Sequence, residues 1–174
     1  MIPPAADEPH RVIPDSGFAG DDGSVAPGVA AALAAYDAEQ ATYAETLAVL
    51  QQARLLVPVV AVAGEVELDE RGLAHDKSSD MATVLLTGHD GRMALLAFTG
   101  TGPLQAWNPE ARPVPVSTAL AAQSAAQEGA EALLIDVAGP TSFVIEGDDL
   151  AAVAAGWTLA RVGDRTGWIR PPAE

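Results

Sequence analysis

Three observations predict an α+β fold, a single domain in which one mixed β-sheet of about five strands is flanked by helices behind an N-terminal helical hairpin or kinked helix. First, Val29, Leu33, Tyr36, Gln40, Tyr43, Leu47 and Leu50 recur at alternating helical spacings, one apolar stripe broken only at Gln40. Second, Leu55-Leu-Val-Pro-Val-Val-Ala-Val-Ala63 is apolar on both faces and rich in β-branched residues, the pattern of a strand covered on two sides. Third, two shorter apolar runs flank Gly88-His-Asp-Gly91, whose Asp-Gly pair is a strong hairpin signal.

The elements follow in order. Residues 1–27 are rich in Pro, Gly and Asp and carry one arginine against five acids, the composition of a poorly ordered tail. Pro27-Gly28 opens the helical stripe, which as one helix would be longer than a domain of this size is wide. Asp37 followed by Gln40 resembles a capping pair, so the stripe is predicted to divide into helices at 28–36 and 38–53. Pro58 has no N–H for a ladder, which predicts a bulge or an edge position within the strand at 55–63. Residues 64–80 alternate charge and Gly and read as an exposed loop. Strands at 82–87 and 92–98 form the hairpin, expected at the centre of the sheet. Residues 99–103 lead to a short helical turn ending near Trp107, and 108–116, with three prolines, should be extended. Ser117 can cap a helix that stops at Gly129. Strands at 132–136 and 142–145 surround Ala138-Gly139-Pro140. Asp148 and Asp149 then open a helix in which Leu150, Val153, Ala154 and Trp157 share a face. The order suggests a single sheet with helices on its faces. The domain is read as 28–160, with 161–174 a C-terminal extension.

Composition narrows the function. Among 174 residues, 24 are Asp or Glu and 9 are Lys or Arg, a formal charge of −15. The apolar share of 49% suffices for a core and is too large for a wholly disordered acidic chain. Alanine dominates it and aromatic residues are only 5%, so close approach of helix to sheet must supply stability that large side chains otherwise give. Lys77 is the one lysine and the arginines are scattered, which argues against nucleic acid and against an anionic membrane surface. No apolar run approaches the length of a membrane span. The opening Met-Ile-Pro-Pro-Ala-Ala-Asp-Glu-Pro lacks the pattern of a secretory signal, so a cytoplasmic protein is expected. The absence of cysteine forbids disulfides and thiolate metal sites, and no cofactor is expected.

Candidate chemistry is sparse. His75, Asp76, Asp80, His89 and Asp90 would make a metal group only if the hairpin tip approached the preceding loop, and no pair has helical ligand spacing, so no metal is expected. Asp21-Asp22-Gly23-Ser24 lacks the alternating acids and distant Glu of a calcium loop and reads as solvated tail. No hydrolase elbow, Walker lysine or cysteine nucleophile is found, and no residue is assigned a catalytic role. Thr99-Gly-Thr-Gly102 after a strand could cradle phosphate with its N–H groups, but is read as a plain turn. Ser78 and Ser79 lie beside Lys77, whose use as a base would need burial that a wet loop does not provide. The most specific segment is Trp107-Asn-Pro-Glu-Ala-Arg112-Pro-Val-Pro. Trp107 and Arg112 could form a ligand or peptide pocket by stacking and ion pairing. Alternatively Trp107 plugs the sheet edge while Arg112 pairs with Asp136 or caps backbone carbonyls, which is the working expectation.

Leu55-Leu-Val-Pro-Val59, Lys77-Ser-Ser-Asp-Met-Ala82, Ala97-Phe-Thr99, Trp107, Ala111-Arg-Pro-Val-Pro-Val116, Gln127-Glu-Gly129 and Leu134-Ile-Asp136 through Gly139-Pro140 occur in this order. Together they resemble the SseB N-terminal-domain family of bacterial proteins, from about Gly28 to Trp157. The family name, from enhanced serine sensitivity, is a phenotype label. What the resemblance implies is an intracellular domain with no agreed molecular function and no accepted catalytic residues. It marks Lys77, Asp80, Phe98, Trp107, Arg112 and Asp136 as family-pattern residues; with Thr99 these are the candidate ligand- or partner-binding positions. Residues 11–23 also resemble one branch of the family, which implies that they fold back on the domain. Two functions follow as expectations. One is a non-enzymatic interaction or regulatory domain that binds a protein partner or itself. The other is a site for an amino acid or small anion, or an enzyme, near Trp107 and Arg112.

Overall fold

In the computed structural model, which describes residues 17–62, 67–68, 74–75 and 80–172, the chain begins with helices α1 (Pro27–Asp37) and α2 (Tyr43–Leu50) and strand β1 (Arg54–Val62). The two-residue strands β2 (Glu67–Leu68) and β3 (Ala74–His75) pair with each other, inside the stretch expected to be loop. Then come β4 (Asp80–Thr83), β5 (Leu85–Thr87), β6 (Met93–Ala97), α3 (Thr101–Trp107), β7 (Arg112–Ser117) and α4 (Thr118–Gln127). The chain continues through β8 (Ala132–Ile135), β9 (Phe143–Glu146), α5 (Gly147–Ala154), β10 (Thr158–Val162) and β11 (Arg165–Ile169). No helix among the described residues is long and apolar enough to cross a membrane.

The helical stripe divides as expected, but one turn later than Asp37 and Gln40 suggest. Glu39 takes a left-handed φ of 56°, and Thr42 and Glu45 form a reciprocal capping box that starts α2. Tyr36 and Tyr43, on either side of this corner, both pack on Phe143, at centroid distances of 5.2 and 4.9 Å. The corner is thereby fastened to β9. Ser117 caps α4 by accepting from the Leu120 N–H, and Gly129 follows at φ 73°.

The strands form two principal sheets where one was expected: β4-β1-β7, antiparallel, and β5-β6-β8-β9, in which β6 and β8 are parallel. Pro58 explains the division. The β1–β4 register pairs Val59 with Thr83, so the next pair would set Val84 opposite Pro58, which has no N–H to donate. The chain leaves β1 there, and the Val84 carbonyl accepts from Leu96 N–H at 3.1 Å instead. Pro58 therefore sits in a central strand, at the point where a neighbouring strand exchanges partners, and not at an edge. The expected strand at 82–87 becomes β4 in one sheet and β5 in the other. Its hairpin with β6 forms, but β5 lies at an edge of its sheet. Leu56 and Phe98 bridge the two sheets through reciprocal N–H to O=C bonds of 2.7 and 2.8 Å.

Strand alternation sends β6 side chains into two cores. Leu95 and Ala97 face the larger one, with Leu133, Ile135, Phe143 and Ile145, under Leu33, Leu47, Leu50, Ala121, Ala125 and Leu150 from four helices. Leu96 and Phe98 face the smaller one, with Leu56, Leu104 and Ala111. Burying each large side chain contributes about 1.5–3 kcal/mol, so the larger core dominates. Helix α5 ends at Ala154, and Trp157 lies beyond it under the Arg170 guanidinium, 4.7 Å from the ring centroid, not on the helix face expected for it. Residues 158–169 form the β10–β11 hairpin, whose Trp168 Nε1 donates to Asp149 at 3.0 Å.

Candidate functional site

The parallel strands β6 and β8 bring their carboxyl ends side by side, and the chain emerges from them at Thr99 and Asp136. Asp136 adopts a left-handed φ of 53°, a conformation that Asp tolerates better than most residues. Its N–H donates to the Ala97 carbonyl at 3.0 Å, and its own carbonyl accepts from Gly139 N–H and the Ser142 hydroxyl, both at 2.9 Å. The loop closes through a cis Gly139–Pro140 bond.

This backbone aims the carboxyl inward. Thr99 N–H donates to Oδ1 at 2.9 Å and the Thr99 hydroxyl to Oδ2 at 2.6 Å. Asp136 is 1% exposed, and among the described residues no cation pairs with it. Burial pushes its carboxyl above the ordinary value, against the two Thr99 hydrogen bonds, which pull it down. A cavity of about 150 Å³ is lined by the pair together with Val25, Leu33, Pro103, Pro140 and Thr141.

The chain before α1 forms one side of this region. Arg54 forms an ion pair with Asp21 and donates to the carbonyls of Ser24 and Thr99 at 2.7 and 2.9 Å. Thr101 N–H donates to the Gly23 carbonyl at 2.8 Å. Gly100 is required for this approach, since a Cβ there would lie 2.9 Å from Val25 N and 3.0 Å from Gly23 O. One expectation changes as a result. Asp21 is held by an arginine and not simply solvated. The N–H groups of Thr99 and Thr101 are already engaged, by Asp136 and Gly23, so the Gly-rich loop is not a free phosphate cradle. Arg54 is not among the expected site residues; its signal is a charged residue opening an otherwise apolar strand.

Of the expected residues, the structure joins Thr99 and Asp136 directly. Phe98 is buried in the smaller core, where Trp107 packs on it at 5.5 Å between centroids. Arg112 is exposed on β7, its backbone paired with Val59, and its side chain has no hydrogen bond or ion pair among the described residues. The expected Arg112–Asp136 pair does not form: Arg112 lies exposed on β7, whereas Asp136 is buried against Thr99. Asp80 begins β4, its backbone opposite Val62. Lys77 lies outside the described residues, as does Asp76, so the His75–Asp90 group is only partly described; among the described residues no group of three metal-ligating side chains occurs.

A second surface is the outer side of the four-stranded sheet. Leu86, Ala94, Leu134 and Val144 share this side, facing away from the larger core, as their registers require. One end is covered by the smaller core. At the other, Leu86 is 45% and Val144 39% exposed, around a concavity of about 180 Å³. Its rim carries Asp90, Glu131 and Glu146, with Arg92 tied to Asp90 at 2.6 Å and to Glu146 at 3.0 Å.

Comparison with known proteins adds one match: the family model described as the SseB protein N-terminal domain aligns with residues 29–152. No curated protein and no solved structure matches the chain.

Proposed function

The chain belongs to the SseB N-terminal domain family, and from that premise we propose that it is a cytoplasmic, non-enzymatic interaction domain whose partner docks on the outer side of the four-stranded sheet. The observation that carries this reading is the apolar row of exposed Leu86 and Val144 with half-buried Ala94 on a sheet containing a parallel pair. Parallel pairs are ordinarily covered on both faces. Charge selects the occupant. The rim is acidic and the chain carries −15, so two copies meeting here would repel, whereas a protein with an apolar knob flanked by Lys or Arg would be attracted.

The test compares capture from lysate by the unmodified chain, by the pair Leu86→Glu with Val144→Glu, and by Val162→Glu on β10, 72% exposed in the native chain. A basic protein retained at low salt, released at high salt, lost with the paired variant and kept with Val162→Glu supports the reading. Retention that ignores the paired variant overturns it. Concentration-dependent dimerisation abolished by that variant would replace the basic partner with a second copy.

A further inference from the structure

We infer that the cavity lined by Asp136 is a binding site for a small ammonium ligand, a primary amine of about half a dozen heavy atoms or fewer. This is independent of the sheet face, which lies elsewhere in the fold.

The sign of the ligand follows from the residues at its floor. A carboxylate has roughly four lone-pair directions, and Thr99 fills two of those on Asp136. No cation answers it, because the nearby Arg54 spends its guanidinium on Asp21 and on the Ser24 and Thr99 carbonyls. Thr141, which lines the cavity, has a hydroxyl with no hydrogen-bond partner among the described residues. An –NH₃⁺ group brings three donors and no acceptor, and here meets a carboxylate and a hydroxyl. A small anion would face that carboxylate with no opposing charge, so the anionic ligand expected from Trp107 and Arg112 does not suit this site.

Size and lining set the rest of the ligand. A cavity of about 150 Å³ corresponds to roughly five waters at about 30 Å³ each. Val25, Leu33, Pro103 and Pro140 offer apolar wall and no further charge, which suits a short alkyl stem. Ala30 and Ala34 at the mouth are exposed, which gives a path from solvent.

The test is an NMR titration of the full chain with n-propylammonium chloride, with potassium chloride and sodium propionate as controls. Saturable shifts at the Thr99, Asp136 and Thr141 amides, given by propylammonium and by neither control, are expected. Asp136→Asn removes the charge, and Ala34→Phe closes the mouth while leaving the carboxylate untouched. Each should weaken binding by about tenfold or more. If Asp136→Asn does not fold, Ala34→Phe carries the test. Absence of saturation, equal shifts with propionate, or affinity unchanged in the folded variants would overturn the site.

Discussion

Thr99 satisfies both oxygens of Asp136, its N–H on Oδ1 at 2.9 Å and its hydroxyl on Oδ2 at 2.6 Å. One residue thereby ties together the two chain segments that leave the parallel strands. Thr99→Val keeps the shape and the backbone bond but removes the hydroxyl from a buried acceptor. It should cost about 1.5–3 kcal/mol by urea denaturation, while Thr99→Ser, which keeps the hydroxyl, should cost about 1 kcal/mol or less. Equal losses in the two variants would show that the hydroxyl contributes nothing.

Burial raises the folded-state value of Asp136 above 3.8, so between these two values the native chain binds more protons than the unfolded one. Stability from this group is therefore fully present below 3.8 and is lost as pH rises through the raised value. Asp136→Asn abolishes the titration. The stability of the native chain relative to this variant should fall from pH 3 upward and then level off. A difference that rises with pH would mean that the Thr99 bonds outweigh burial.

Two arginines should behave oppositely. Arg112 is exposed and unpaired among the described residues, and Arg112→Ala should change stability by no more than about 0.5 kcal/mol. Arg54 and Asp21 side chains are only 14% and 15% exposed, and Arg54→Ala leaves that carboxylate without its cation. A loss of roughly 2–4 kcal/mol is expected. Exchange of the Thr101 amide, which donates to Gly23, should accelerate in the same variant; unchanged exchange would mean that the segment is held without Arg54.

A glycine pair checks the close approach of the segment before α1. Gly100→Ala drives a methyl against the Val25 and Gly23 backbone, which cannot yield as a flexible side chain would. A destabilisation of about 1–3 kcal/mol is expected from this overpacking. Gly102, in α3 and with open space around its Cα, should tolerate Ala and gain up to about 1 kcal/mol. Thermal melts of the two variants should shift in opposite directions.

Local rules made much of this fold legible. Periodicity found α1 and α2, Asp90-Gly91 found the β5–β6 hairpin, and Ser117 with Gly129 bounded α4, because each depends on neighbours in the chain. The Thr42–Glu45 box was missed in favour of Asp37–Gln40, although both spacings suit a cap; only the left-handed Glu39 decides between them. The β10–β11 hairpin, in the stretch expected to be a C-terminal extension, turns at Gly163-Asp164, a local signal that the sequence does carry. Less accessible was the site. Asp136 was identified, yet its partner lies 37 positions away and is an uncharged threonine, whereas charge arithmetic had favoured Arg112. The role of Arg54 depends on residues that composition assigns to a tail.

Pro58 does more than interrupt a ladder. Because residues 80–87 spend their first half on β1 and their second on β6, one continuous stretch indexes both sheets at once. A slip by one residue in either ladder would turn β4 or β5 inside out unless its counterpart slipped too. The missing N–H of a single imino acid thus acts as a registration mark, making two separately hydrogen-bonded sheets keep the same count along the chain.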